Sequence, residues 1–425
     1  MKEISSLLSI YCIIDIVSKS YARNQQSMGY FTDEDIKTIR KLKKKPERKT
    51  RSRRDGGRRS FGQAGSLGKL FRIFGSILSL LLILAVTLVV VLTVTEFKPE
   101  ARETLEVVSD GKTSAARIGS PLRVMTWNIG YGALGNNADF FMDGGSSVHT
   151  ASADRVNRNI DGIVSVTKAL NADVCFFQEV DTQALRSHFV NEPEQISNRL
   201  FARDEVSRDH TFAYNYRSLF IPYPIPPIGT VNAGIYTTSR YSITSSERVQ
   251  LPCPFTWPES VGNLKRCLVV SRVPVEGSRK ELVLVNLHLE AYDSGEGKAA
   301  QTAMLRDLLE EEAAKGNYVI AAGDFNQSFS NADISEYPVY EGKWQAGQID
   351  VSEFPNFQML MDTSEPSCRS LDQPYAGSDR ENFQYYVIDG FICSKNIQVN
   401  DVKTHNDEFK SSDHNPVTLD AVLMP

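Results

Sequence analysis

Cysteine, histidine and internal repetition are all scarce in this chain. Six cysteines and six histidines are spread over 425 residues. No cysteines stand at zinc-ligand spacing, which excludes finger and ribbon architectures. Beyond Cys12 the remaining five form an odd set, so no disulfide framework is implied. Cys175 and Cys393 lie inside apolar runs, where a free thiol acts as a small hydrophobe. Among Cys253, Cys267 and Cys368, the pair Cys253–Cys267 is nearest in sequence and is the bridge to expect if one forms. The absence of an internal repeat removes solenoids and propellers. What remains is a globular composition, 41% hydrophobic and 23% charged, long enough for one large or two ordinary domains.

Charge is missing altogether from one stretch, IFGSILSLLLILAVTLVVVLTVT, residues 73–95. At about 1.5 Å per residue it reaches roughly 34 Å, enough to cross a hydrocarbon core of about 30 Å. Nothing after it offers a small-x-small cleavage site, and it starts too far along the chain for a signal peptide. The span divides two electrostatic objects. Residues 1–97 carry 18 Lys+Arg against 8 Asp+Glu, whereas residues 98–425 carry 29 against 44. Twelve of the basic residues crowd into RKLKKKPERKTRSRRDGGRR, residues 40–59. Alone this run would suit a nucleic acid; beside a span it is the positive-inside signal, with anionic lipid a further contact. The expectation is a single-pass protein of the cell membrane, N-terminus cytoplasmic and residues 98–425 outside. Met28, opening a polar segment after a weakly apolar one, is an alternative start to Met1.

The expected organisation is a basic head (1–72), a transmembrane helix (73–95), a polar linker (96–121) and one domain (122–425). Within the domain, ADRVNRNIDGIVSVTKALNAD and KAAQTAMLRDLLEEEAAKG read as helices. Strand-like runs surround them, which points to an α/β or α+β sandwich. Polar residues fall where these runs end: Asn128, Glu179, His288, Asp324 with Asn326, and Asp389. The dipeptide Asp413–His414 in SSDHNPV precedes a sixth run. One polar residue at a strand end is a turn or a cap. Six, at ends that a sheet can gather, are how sites are built on rigid scaffolds.

In this order TWNIG, FFQEVD, NLHLEAY, AAGDFNQ, VIDGFICS and SSDHNPV resemble the successive motifs of the endonuclease/exonuclease/phosphatase superfamily, from Leu122 to Pro425. The resemblance implies a four-layer α/β sandwich, two packed mixed β-sheets flanked by helices, with the site at one end of the sheets. It implies Mg²⁺, or Mn²⁺, held chiefly by Glu179 with Asn128 and Asp413 near it; a small hard cation takes oxygen ligands and keeps several waters. His414 would pair with Asp389. Asp324 and Asn326, at i and i+2 of a strand-like segment, would face the phosphate together, and His288 would donate to a phosphoryl oxygen. Either Asp324 or His414 would be the general base for in-line attack of water at phosphorus. Asn232 lies where the family often places a polar residue. Tyr292 and Arg266 are either phosphate contacts or ordinary surface residues.

The family spans nucleic acids, phospholipids and small phosphoesters, so resemblance does not name a substrate. An acidic body suits a nonspecific nuclease poorly, because such an enzyme must neutralise several phosphates. A tethered, outward-facing hydrolase meets lipid head groups. A phosphodiester of phospholipid or of another surface molecule is therefore favoured over DNA or RNA, with a phosphomonoester or a non-catalytic binding module as further alternatives. The Pro-rich FIPYPIPPIG, residues 220–229, is either a packed structural loop or an apolar lip at the cleft.

Overall fold

The computed structural model describes residues 64–425 apart from 202–206 and 294. The basic run at 40–59 and the Met28 alternative lie outside the described residues. The chain divides into two compact units, residues 1–83 and 84–425. Helix α1 (Ala64–Val94) begins earlier than the uncharged run and contains, in Gly68–Val94, the one stretch among the described residues long and apolar enough to cross a membrane.

Two mixed sheets form the body of the second unit. The seven-stranded sheet runs β1 (Arg102–Thr104), β6 (Ser245–Gln250), β7 (Cys267–Pro274), β8 (Glu281–His288), β9 (Tyr318–Asp324), β15 (Asp389–Ser394) and β12 (Phe357–Leu360). The six-stranded sheet runs β16 (Ile397–Thr404), β17 (Val417–Leu423), β2 (Pro121–Asn128), β3 (Val174–Asp181), β5 (Gly229–Ser239) and β4 (Asp209–Ile221). Two short pairs, β10 (Gln327–Phe329) with β11 (Gly347–Ile349) and β13 (Cys368–Arg369) with β14 (Tyr385–Tyr386), lie apart.

The sheets stack through Val124, Phe176, Leu284, Ile320, Val417 and Leu419, all fully or almost fully buried. Helix α2 (Ala153–Leu170) covers one outer face with Val156, Ile160, Ile163 and Val164, and the short α3 (Glu192–Leu200) joins it there through Ile196. Helix α4 (Glu296–Ala314) covers the other with Leu305, Leu308 and Leu309. Strands buried on both faces cannot alternate polar and apolar residues, hence CLVV and ELVLV. This is the expected four-layer sandwich.

Two parallel pairs set the position of the site. β2 and β3 run parallel with α2 as their crossover, and β8 and β9 run parallel with α4. The C-terminal ends of the two pairs meet across the sheets, Asn128 at the end of β2 bonding Asp324 at the end of β9. β15 runs antiparallel to β9, with Asp389 opposite Asp324, so its beginning arrives where β9 ends. β17 runs antiparallel to β2 in the same manner. Asp389 thus opens a strand rather than closing one.

The residues expected to form a linker do not behave as one. Arg102–Thr104 pair with β6, Leu105 donates to Ser246 O, and Ala116 is buried in the layer between the sheets. Their polar character reflects an edge position, where one side of the strand faces water. The Cys253–Cys267 bridge is also absent: Cys267 is a buried thiol at the start of β7, Cys253 sits in the preceding loop, and both are free.

Candidate active site

A cleft of about 200 Å³ opens at the shared end of the sheets, lined among others by Glu179, His288, Asp324, Asn326, Asp413 and His414. Unusual backbone shapes it at several positions. β3 shifts register between Phe177 and Val180, and Glu179 within that bulge has φ +52°. A bulge turns a side chain that regular alternation would send elsewhere. Asn326 has φ +51° and lies beyond the end of β9. It therefore reaches the cleft not as the i+2 residue of a strand but through a left-handed turn, in which its N–H donates to Asp324 Oδ1. Gly130, at φ +52°, stands where a Cβ would come within 2.8 Å of Asp413 Oδ1.

The SSDHNPV loop is pinned on all sides. Trp127 Nε1 donates to His414 O, Ser412 Oγ to Asn128 O, Arg369 N–H to Asp413 O and Asn415 Nδ2 to Pro366 O. These bonds hold two adjacent side chains against different parts of the cleft. His414 Nδ1 lies 2.8 Å from Asp389 Oδ2, and its Nε2 3.8 Å from Asp324 Oδ2. His288 Nε2 lies 3.4 Å from the same oxygen. Asn128 Nδ2 donates to Asp324 Oδ2 (3.0 Å) and Glu179 Oε1 (3.3 Å), while its Oδ1 accepts from Gly130 N–H. Asn128 thus aligns two carboxylates and has its carbonyl already engaged. Asn326 Nδ2 donates to Leu289 O.

Burial governs the charges. It raises Asp324 to about 7, with the Asp389 charge adding to it. It raises Asp413 to about 6, His414 opposing and Glu179 adding. At His414 burial acts against the cation, yet Cys368 and Asp389 outweigh it and hold the group well above its ordinary value. The Cys368 thiol is itself pushed up to about 12, chiefly by burial, so Asp389 is the effective partner at neutral pH. His288 is held well below its usual value by burial and the Arg266 charge, and stays neutral.

Nine of the ten expected site residues meet here, with Asn128 bonded to two of the carboxylates and Asp389 immediately behind His414. Tyr292 lines the cleft, its OH 3.4 Å from Asp143 Oδ1. Asn232 does not: Gln183 O and Arg217 Nε hold both ends of its amide outside the cleft. Arg266 is buried, ion-paired to Glu290 at 3.3 Å. Sequence reasoning missed Arg186, Lys343, Cys368 and Arg369 in the lining, none of which ends an apolar run in the sequence. It also missed the tie beneath the site, where Gln178 Nε2 donates to Asn286 Oδ1 and Asn286 Nδ2 to Tyr236 O, joining the two sheets. Polar residues inside β3 and β8 were the available signal.

Such a cleft, at the end of two stacked mixed sheets, is that of a hydrolase of phosphoric esters. The profile of the Endonuclease/Exonuclease/phosphatase family matches residues 125–414, more than half of the chain, and the chain belongs to that family. Comparison with curated protein sequences finds no match. Among solved structures it is similar to an endonuclease/exonuclease/phosphatase from Beutenbergia cavernae (20% identity, 72% of each chain covered, TM-score 0.48). It is also similar to the human Nocturnin catalytic domain with bound sulfate (17%, 75% of this chain and 98% of that one, 0.44). A third is truncated TDP2 from Caenorhabditis elegans (14%, 72% and 98%, 0.42).

Proposed function

We propose that this chain is a membrane-anchored, Mg²⁺-dependent phosphodiesterase acting on a phosphodiester at the membrane surface, a phospholipid head group before a nucleic acid. The observation that carries the chemistry is the convergence of His414, His288 and Asn128 on one buried carboxylate, Asp324. Single-span anchoring rests on α1, and the orientation on the basic run before it.

The oxygen-rich corner of Glu179 and Asp413 fits a hard cation. Both are carboxylates, Asp413 is buried, and their mutual repulsion is a cost that a divalent ion would relieve. When bound, Mg²⁺ supplies electrostatic stabilisation of charge developing on phosphoryl oxygens. The protein's own groups do the rest. Asp324, the shared acceptor, orients the attacking water and takes its proton. His288, neutral, donates one hydrogen bond to a non-bridging oxygen. His414, kept positive by Asp389, neutralises charge on the phosphate, and Asn326 borders the same space.

The test uses the full chain in detergent with bis-(p-nitrophenyl) phosphate and the monoester. Truncation at Pro121 would strip away β1 and is unsuitable. Diester cleavage abolished by EDTA and by His414→Ala is expected; cleavage of the monoester alone would overturn the diesterase reading.

A further inference from the structure

The chain leaves α1 by a route that binds it to the rim of the cleft. Glu96, just beyond the helix, is ion-paired to Lys265 at 3.0 Å with both side chains over nine-tenths buried, and Lys265 also donates to Ser260 O. The next residue, Phe97, lies under the Arg217 guanidinium of β4, 5.5 Å from its ring centre, and under that of Arg248 at 5.7 Å. Trp257 Nε1 donates to Thr93 Oγ1 in the last turn of the helix. Lys265 stands between Leu264 and Arg266, and both line the cleft.

The same strand leads to Ile225, the most exposed large apolar residue of the domain among the described residues. Beyond Arg217, β4 carries Leu219 (53% exposed) and turns through Tyr223 (62%) and Ile225 (94%) before Ile228 returns to the cleft wall. Phe141 packs edge-on against Tyr223, and beside it Met142, also exposed, lines the cleft. The Pro-rich segment is therefore a lip and not a packed loop. It begins three residues after Arg217, which touches the strap leaving the helix. At about 3.3 Å per residue the tip lies within roughly 30 Å of that contact, so an apolar tip and a helix end meant for lipid belong to one neighbourhood.

We infer that the apolar tip of the β4–β5 hairpin enters the bilayer that α1 spans, and that the Glu96–Phe97 strap holds the cleft against the head groups of that same leaflet, so that the substrate is a phospholipid of the enzyme's own membrane. This rests on the membrane-anchored phosphodiesterase reading and narrows it. A flexible tether would let the domain reach facing membranes; a strap closed by a buried ion pair does not. Water-exposed Ile and Leu beside a membrane anchor gain by leaving water, and Tyr suits the interface.

The experiment reconstitutes the full chain in phosphatidylcholine vesicles carrying one labelled lipid and mixes them with enzyme-free vesicles carrying another. Hydrolysis confined to the enzyme's own vesicles is expected. Leu219→Ser with Ile225→Ser, both outside the cleft lining, should lower vesicle hydrolysis by about tenfold or more, as two lost apolar insertions imply, while bis-(p-nitrophenyl) phosphate turnover stays within about twofold. An equal rate on enzyme-free vesicles, or unchanged vesicle hydrolysis in the double variant, would overturn the inference. Diester turnover without any lipid hydrolysis would do so too while leaving the phosphodiesterase reading intact. An activity-independent measure accompanies these: Ile225→Trp in vesicles of brominated lipid should add quenched tryptophan emission over the unaltered chain. An unquenched increment would overturn the insertion directly.

Discussion

Replacing Asp389 by Asn probes the centre of the site with little change of shape. Asp389 is 1% exposed, and its Oδ2 lies 2.8 Å from His414 Nδ1. Two unit charges with centres about 4 Å apart interact by about 4 kcal/mol at an effective dielectric constant near 20. If that attraction keeps His414 positive in the transition state, its loss lowers kcat by about a thousandfold with KM little changed. A stability cost follows from the other oxygen. Asp389 Oδ1 has no hydrogen-bond partner among the described residues, so an NH₂ turned into its place finds no acceptor there, at about 1–3 kcal/mol. The assay is steady-state hydrolysis of a soluble diester at saturating Mg²⁺, with thermal unfolding of both proteins to separate misfolding from lost chemistry. A fall in kcat below tenfold in a folded variant, or an effect confined to KM, would refute the idea that Asp389 acts through the charge of His414.

Glu179→Gln and Asp413→Asn should each weaken Mg²⁺ binding, read by titration calorimetry, and raise the Mg²⁺ concentration needed for half-maximal rate; Asn232→Ala should leave both unchanged. Gly130→Ala should lower the melting temperature and the rate together, because φ +52° costs an L-residue about 1–2 kcal/mol and the new Cβ would meet Asp413 Oδ1 and Leu134 Cβ at 2.8 Å. Glu312 on α4 is held down to about 2: burial opposes this, but hydrogen bonds from Arg272, Lys315 and Asn317 outweigh it. A carboxylate with a depressed folded-state pKa contributes stability that is complete above its unfolded value, 4.5, and is lost as pH falls toward 2. Urea unfolding across that window should show a slope that Arg272→Ala reduces; an unchanged slope would remove Glu312 from the acid response.

The layers of this protein were legible because strand and helix patterns are local. Runs such as ELVLVNLH and YVIAAGD declare strands buried on both faces, and α2 and α4 show apolar residues at helical spacing. The site was legible for a related reason. Asn128, His288 and Asp324 end apolar strands, and residues at such ends stand at the rim that two stacked sheets present. Where the signal was not local, reading failed. The edge strand at 102–104 has no apolar pattern, since pairing with β6 defines it. Asn232 is polar and near the right motif, yet Gln183 and Arg217 hold it away. Arg369 and Cys368 reach the cleft only because β13 crosses the SSDHNPV loop.

By itself the sequence determined the uncharged span, the opposite charges on either side of it, the strands and helices of the domain and the residue types of the site, because hydrophobic period, charge and turn chemistry are properties of neighbouring residues. Tertiary structure alone decided the rest. The bulge that turns Glu179, the left-handed turn that delivers Asn326, the Gln178–Asn286 tie between the sheets and the ion pair of Glu96 with Lys265 all join residues whose partners lie elsewhere in the chain or whose backbone is strained against local preference. Only the packed core repays that strain, and only in three dimensions do those partners exist.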